Sequence, residues 1–259
     1  TKYDNPDKSL SKPYYVGMQL GEIWGFKTDG FFKTTEEAQA YAKEVDLSYS
    51  SGRLTGGWQA GDLKFVDLDG NHIWDVGENK VGKSGDKTIL GNELPTFSYG
   101  INASIRWCGF DASVFFQGTG NSSVLLASGN NHFWPFNWYE DKSNYRTLFL
   151  DRWTADNPRQ DVTMPRLHSH YSHNVNKEPS TWWLRSGNFL RFKNLEIGYN
   201  LPKTFLRKLR LDAVRVYMLG NNLCVWDDIK YWDPEQGNRN QGMSYPMSRT
   251  FTLGIEVNF

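Results

Sequence analysis

The chain has 259 residues, and 29 Lys plus Arg balance 29 Asp plus Glu, so its formal net charge is zero. That balance excludes an electrostatic nucleic-acid binder and a polybasic membrane anchor. No run of about 18 apolar residues occurs, which excludes a transmembrane helix but not a β-barrel, whose strands cross lipid on alternating residues.

The first predicted strand, residues 14–26, is irregular. The next is regular: Phe97, Tyr99, Ile101, Ala103, Ile105 and Trp107 alternate with Ser98, Gly100, Asn102, Ser104 and Arg106. After Cys108-Gly109 the alternation resumes, with Phe110, Ala112, Val114 and Phe116 against Asp111, Ser113 and Gln117. Such a period of two marks strands with one apolar face. In residues 189–200, Leu195, Ile197 and Tyr199 alternate with Asn194, Glu196 and Gly198. Leu190 and Phe192 sit in the opposite phase, which signals either a bulge or a strand end that has left an apolar layer. Residues 212–222 form a fifth strand. In residues 249–259, Phe251, Leu253, Ile255, Val257 and Phe259 share one face, while Thr250, Thr252, Gly254, Glu256 and Asn258 share the other. About ten residues is enough to cross a bilayer when tilted.

The links between these six strands are sorted by length. Residues 107–109 and 201–211 are short, whereas 27–95, 119–188 and 223–248 are long, polar and rich in Gly, Asn and Trp. With Phe259 on the periplasmic side, every short link falls inside and every long one outside, as in outer-membrane barrels. A soluble β-sandwich also alternates but gives no reason for the sorting. Six strands cannot close a membrane barrel, whose smallest bacterial members have about eight, and an open edge in lipid leaves backbone groups unpaired. The chain opens Thr1-Lys2-Tyr3 without an initiator Met or a signal-peptide pattern, as expected of a mature protein or a fragment.

Four features carry candidate chemistry. Residues 67–78 place Asp67, Asp69, Asn71, Asp75 and Glu78 at positions 1, 3, 5, 9 and 12 of a calcium loop. Ile73 would supply a carbonyl at position 7. His72 stands at position 6, where Gly is the rule, so a plain acidic turn is the competing reading. His168, His170 and His173 have no Cys or carboxylate nearby to complete a zinc set, which favours a polar loop. The chain is rich in aromatics, with 16 Phe, 13 Tyr and 11 Trp. Several cluster in the long links: residues 132–139 with Trp134, Trp138 and Tyr139, then Trp182, Trp183, Trp226 and Trp232. They would serve loop packing, partner contact or substrate stacking. The Asp227-Asp228 pair points to opposite faces of a strand and lacks the geometry of a glycosidase. No phosphate loop or nucleophile elbow is present, so no enzyme is expected. Cys108 and Cys224 fall at opposite ends of the predicted strands, too far apart for a disulfide.

The chain resembles a known family, the SusC-like (SusC/RagA) TonB-dependent outer-membrane transporters of Bacteroidetes, in their C-terminal barrel portion. The likeness lies in Gly61-Asp62-Leu63-Lys64-Phe65-Val66-Asp67-Leu68-Asp69-Gly70-Asn71, in Leu90-Gly91-Asn92 with Phe97-Ser98-Tyr99-Gly100, and in residues 109–118. It continues through Asp151-Arg152-Trp153-Thr154, Pro165-Arg166-Leu167, residues 188–194 with Gly198-Tyr199, and Arg215-Val216-Tyr217. Gly220-Asn221-Asn222-Leu223, Asp233-Pro234-Glu235 and residues 245–259 complete it. The resemblance implies an all-β fold, residues 1–259 forming about six strands of a 22-stranded barrel with long extracellular loops. The plug and N-terminal extension lie in the remaining part of such a transporter. The function implied is import of oligosaccharides or oligopeptides across the outer membrane of a Gram-negative bacterium, with a SusD-like lipoprotein as partner and TonB as energy source. Outer-membrane lipid is the expected surroundings, and no nucleic acid. The alternative is a secreted carbohydrate-binding β-sandwich.

Overall fold

The computed structural model describes residues 4–49, 57–126, 147–167, 175–236 and 244–259. In chain order the elements are β1 (Glu22–Phe26), β2 (Thr28–Phe31), α1 (Thr35–Glu44), β3 (Leu63–Phe65), β4 (Lys87–Asn92), β5 (Phe97–Trp107) and β6 (Phe110–Gly120). They continue with β7 (Ser123–Leu125), β8 (Leu184–Ser186), β9 (Phe189–Asn200), α2 (Lys203–Leu209), β10 (Ala213–Asp227) and β11 (Thr250–Asn258). The chain divides into two compact units, one of residues 1–93 and 125–185, the other of residues 94–124 and 186–259.

The second unit is a five-stranded antiparallel sheet in the order β11-β10-β9-β6-β5. Five of the six predicted strands are therefore neighbours. The sixth is a correction: of residues 14–26 only Glu22–Phe26 is a strand, and it pairs with β4 in the other unit. Its irregular apolar pattern suits a short ribbon whose side chains enter a core.

Tight links explain the antiparallel order. Between β5 and β6 the turn residues Cys108 (φ 47°) and Gly109 (φ 87°) both adopt positive φ, the two-residue geometry whose twist matches paired strands. The link after β9 is more than a turn. It holds α2, ended by Arg210 in the left-handed conformation (φ 56°, ψ 40°).

The phase change in β9 is a bulge. Pairing with β6 jumps from Phe115↔Asn194 to Phe116↔Phe192, and β10 makes a matching shift between Asn221 and Cys224. The extra residue returns Phe192 to the apolar face, where its ring stacks on Phe116 at 4.7 Å.

In the first unit the long links 27–95 and 119–188 carry structure of their own. Phe26, Phe65 and Trp74 pack with centroids 4.5–5.8 Å apart, and Trp58, Leu63 and Phe32 join them in the core. Burying each large ring contributes about 1.5–3 kcal/mol, so the aromatic-rich composition gives a small unit its core. α1 is capped by Thr34 Oγ1, which accepts the Glu37 N–H at 3.1 Å, while Glu37 Oε2 accepts the Lys33 N–H at 2.8 Å. A second buried centre is polar: Asp62 accepts from Arg166 at 3.0 and 3.2 Å and from Asn176 at 3.0 Å.

Candidate functional site

The ladders of the five-stranded sheet sort its side chains into two chemically different faces. One cross-strand row runs Trp107, Phe110, Tyr199, Val216, Ile255 and the next Ile105, Ala112, Ile197, Met218, Leu253. A third row runs Ala103, Val114, Leu195, Gly220, Phe251. This face carries no charge in these rows. Trp107 is 73% exposed and Leu253 81% exposed. Rings stand at both ends: Trp107, Phe110 and Tyr199 at one, Phe97, Tyr99 and Trp226 at the other.

The opposite face is polar. Arg215 Nη2 lies 2.5 Å from Asp111 Oδ2 and 2.5 Å from Glu196 Oε1, and Asn200 Nδ2 donates to Asp111 Oδ1 at 3.0 Å. With Arg106, Ser104 and Ser113 these groups line a hollow of about 800 Å³. Gly198 makes the arrangement possible, since a Cβ there would come within 2.6 Å of Arg215 Nη2. Nearer the other end of β9, Arg191 is 3% exposed and paired to Asp233 and Glu235. Neither cluster can be read along the chain, because it takes the register to bring residues 111, 196 and 215 together.

The acidic loop is built around Trp74. His72 adopts φ 61°, so it makes the turn that its position in the sequence had put in question. The donor set differs from the expected one. Asp67, Asp69 and Asp86 bring carboxylate oxygens within 4.8 Å of one another. Asn71 Oδ1 accepts the Ile73 N–H at 2.6 Å and Asp75 Oδ1 the Gly77 N–H at 2.6 Å. Glu78 is held by Lys80 and Lys83 instead, whose bonds keep its carboxyl below the ordinary value. Asp86, eight residues beyond the end of the loop spacing, was not legible as a member of this cluster. It is fully buried, and burial pushes its carboxyl above the ordinary value against the N–H bonds from Leu68 and Asp75.

The aromatic candidates separate. Trp183 is wholly buried and donates its Nε1–H to Asn176 O at 2.8 Å, so it offers no ring to a ligand. Trp182 packs on Phe31 at 4.3 Å and donates to Thr163 O at 3.2 Å. Trp232 is nearly buried, whereas Trp226 is 54% exposed on the apolar face of the sheet. Trp134, Trp138, Tyr139 and the histidines 168, 170 and 173 lie outside the described residues. Both cysteines are free thiols.

No family model matches the chain. It is 29% identical over 261 residues to TonB-dependent receptor P3 of Formosa agariphila and 30% identical over 260 residues to TonB-dependent receptor P26 of the same organism. Each match takes in 94% of this chain. The chain is a homologue of part of a TonB-dependent receptor. It spans 22% and 23% of the length of these two relatives. Two solved structures share its fold: the RagAB peptide transporter, with TM-score 0.60 and 20% identity, and the RagAB peptide importer in the open-open state, with TM-score 0.58 and 21% identity. They cover 93% and 95% of this chain, which covers 23% of each. The relatives are receptors and transporters rather than enzymes.

Proposed function

We propose that this chain forms part of the wall of an outer-membrane importer, which takes up oligosaccharides or oligopeptides with a SusD-like surface lipoprotein and is energised through TonB. The observation that carries this reading is the two-faced sheet. An exposed apolar face of this extent is unfavourable in water but suits lipid, while the charged face suits a water-filled or protein-filled lumen. β5 and β11 flank the sheet, and their outer edges would be completed in lipid by further strands of the same receptor. A β-sandwich would need a second sheet over the apolar face, and among the described residues of the second unit the five-stranded sheet has no counterpart of similar size. The long links would then lie on the outer surface of the cell.

The test is to express the full-length receptor with its neighbouring lipoprotein. Expected are recovery in the outer-membrane fraction, heat-modifiable migration, and uptake of labelled oligosaccharides or oligopeptides that disappears without TonB. Recovery of a folded, monodisperse protein in buffer without detergent would overturn the reading and favour the sandwich.

A smaller proposal concerns the acidic loop. Asp67 and Asp69, joined by Asp86 rather than Glu78, would hold calcium, a hard cation served by carboxylate oxygens, and so brace the aromatic unit through Trp74. Thermal unfolding of the receptor with calcium and with chelator tests it; identical midpoints would leave the loop a plain acidic turn.

A further inference from the structure

Residues 228–236 follow directly on β10 and turn back to β9. Arg191 is their anchor. In the ladder it lies between Gln117 and Val225, on the polar face and opposite to Phe192. Its Nη2 donates to both oxygens of Asp233 at 2.6 and 2.7 Å, and its Nε donates to Glu235 Oε1 at 3.0 Å. Lys193 Nζ reaches the same Glu235 oxygen at 3.4 Å.

The segment is also held by itself. Asp233 Oδ1 accepts the Glu235 N–H at 3.0 Å and Asp233 O accepts the Gln236 N–H at 3.0 Å. Asp227 Oδ1 accepts the Ile229 N–H at 2.7 Å. Ile229, Trp232 and Pro234 are buried, while Asp228, Lys230 and Glu235 remain exposed.

Charge-assisted bonds in a two-oxygen grip are the stronger kind. Lifting the segment would strand a buried guanidinium without its carboxylates, which is costly. We infer that residues 228–236 are a fixed ledge on the inner face of the wall, pinned by Arg191, and not a lid that swings during uptake. The inference rests on the barrel reading for the word inner, and on the ion pairs alone for the word fixed. Such a ledge sets the contour that a passing oligomer meets at this wall.

Two readouts on the full-length receptor decide it. In hydrogen exchange, the amides of Ile229, Glu235 and Gln236 should exchange at least about 100-fold more slowly than an open loop. Arg191→Met should abolish that protection, Arg191→Lys should restore part of it, and the β10–β11 amides should not change. Open-loop rates in the parent, or full protection in Arg191→Met, would overturn the ledge.

The second readout is a covalent bridge. With Cys108 and Cys224 replaced by Ala, a short bismaleimide joins Lys193→Cys to Glu235→Cys. The bridged receptor should take up mixtures of labelled oligosaccharides and oligopeptides within about twofold of the unbridged parent. A tenfold loss, with heat-modifiable outer-membrane protein still present, would show that the segment must move. If the parent imports neither mixture, the proposed function has failed, and hydrogen exchange still decides whether the ledge is fixed.

Discussion

Arg at position 255 would distinguish a lipid-facing sheet from a water-facing one. Ile255 is 69% exposed, pairs with Val216, and lies midway between Phe251 and Phe259 on one face of β11. Eight residues at about 3.4 Å each span roughly 27 Å, and a tilt of about 40° reduces that to roughly 21 Å, close to the apolar band of about 25 Å. Ile255 therefore falls near the midplane. Arg there should cost about 2–4 kcal/mol, or roughly 30-fold to nearly 1000-fold in the folding equilibrium. Phe259→Arg, at the band's edge, should cost about 0–1 kcal/mol. Thr252→Arg, on the polar face beside Leu219, should stay within about 0.5 kcal/mol. Denaturant titration of the full receptor in lipid vesicles, followed by heat-modifiable migration, measures all three. If Ile255→Arg proves neutral, the face meets water. If Thr252→Arg is the costly one, the two faces have been assigned the wrong way round.

In the proposed calcium loop, Asp86 would link binding to pH. Burial raises its folded pKa, so its contribution to stability is present at low pH and is lost as pH rises through that value. Calcium should therefore help most above it, by about 2.7 kcal/mol at a hundredfold excess over the dissociation constant, and Asp86→Asn should erase the thermal shift. Glu37 has the opposite sign: the Lys33 N–H lowers its pKa, so its contribution is present above the ordinary value of 4.5 and is lost as pH falls through the lower folded value. Acid titration of Glu37→Gln against the parent should show that dependence removed, and Thr34→Ala should cost about 1 kcal/mol through the lost cap. Cys108 and Cys224 should show no mass shift on reduction. Cys224 is level with Phe192 and Gly109 O with Asn200 N, eight residues or roughly 27 Å apart along β9, beyond the roughly 7 Å Cα limit of a disulfide. A bridged peptide in a digest would refute the register.

What residues 97–116 and 250–259 encode was legible from the chain alone, because a strand with one apolar face writes its period of two into the sequence. The phase break in β9 was legible for the same reason, since Leu190 and Phe192 leave the phase of Leu195; the sequence left a bulge and a strand end outside the apolar layer open, and the register with β6 decides for the bulge. The first strand was misplaced because only residues 22–26 are a strand, and that short ribbon is interrupted by a register shift between Ile23 and Trp24, too little to write a sustained period of two. Charge clusters were hidden for a different reason. Arg215, Asp111 and Glu196 are up to 104 residues apart, and Arg191 is 42 residues from Asp233; their meeting depends on register, and a slip of one residue would send each to the opposite face. Asp86 enters the acidic loop by folding back beneath Leu68 and Asp75, outside any spacing rule. Local alternation thus wrote the strands and their two faces into the sequence, while the pairing of distant strands decided which charges meet.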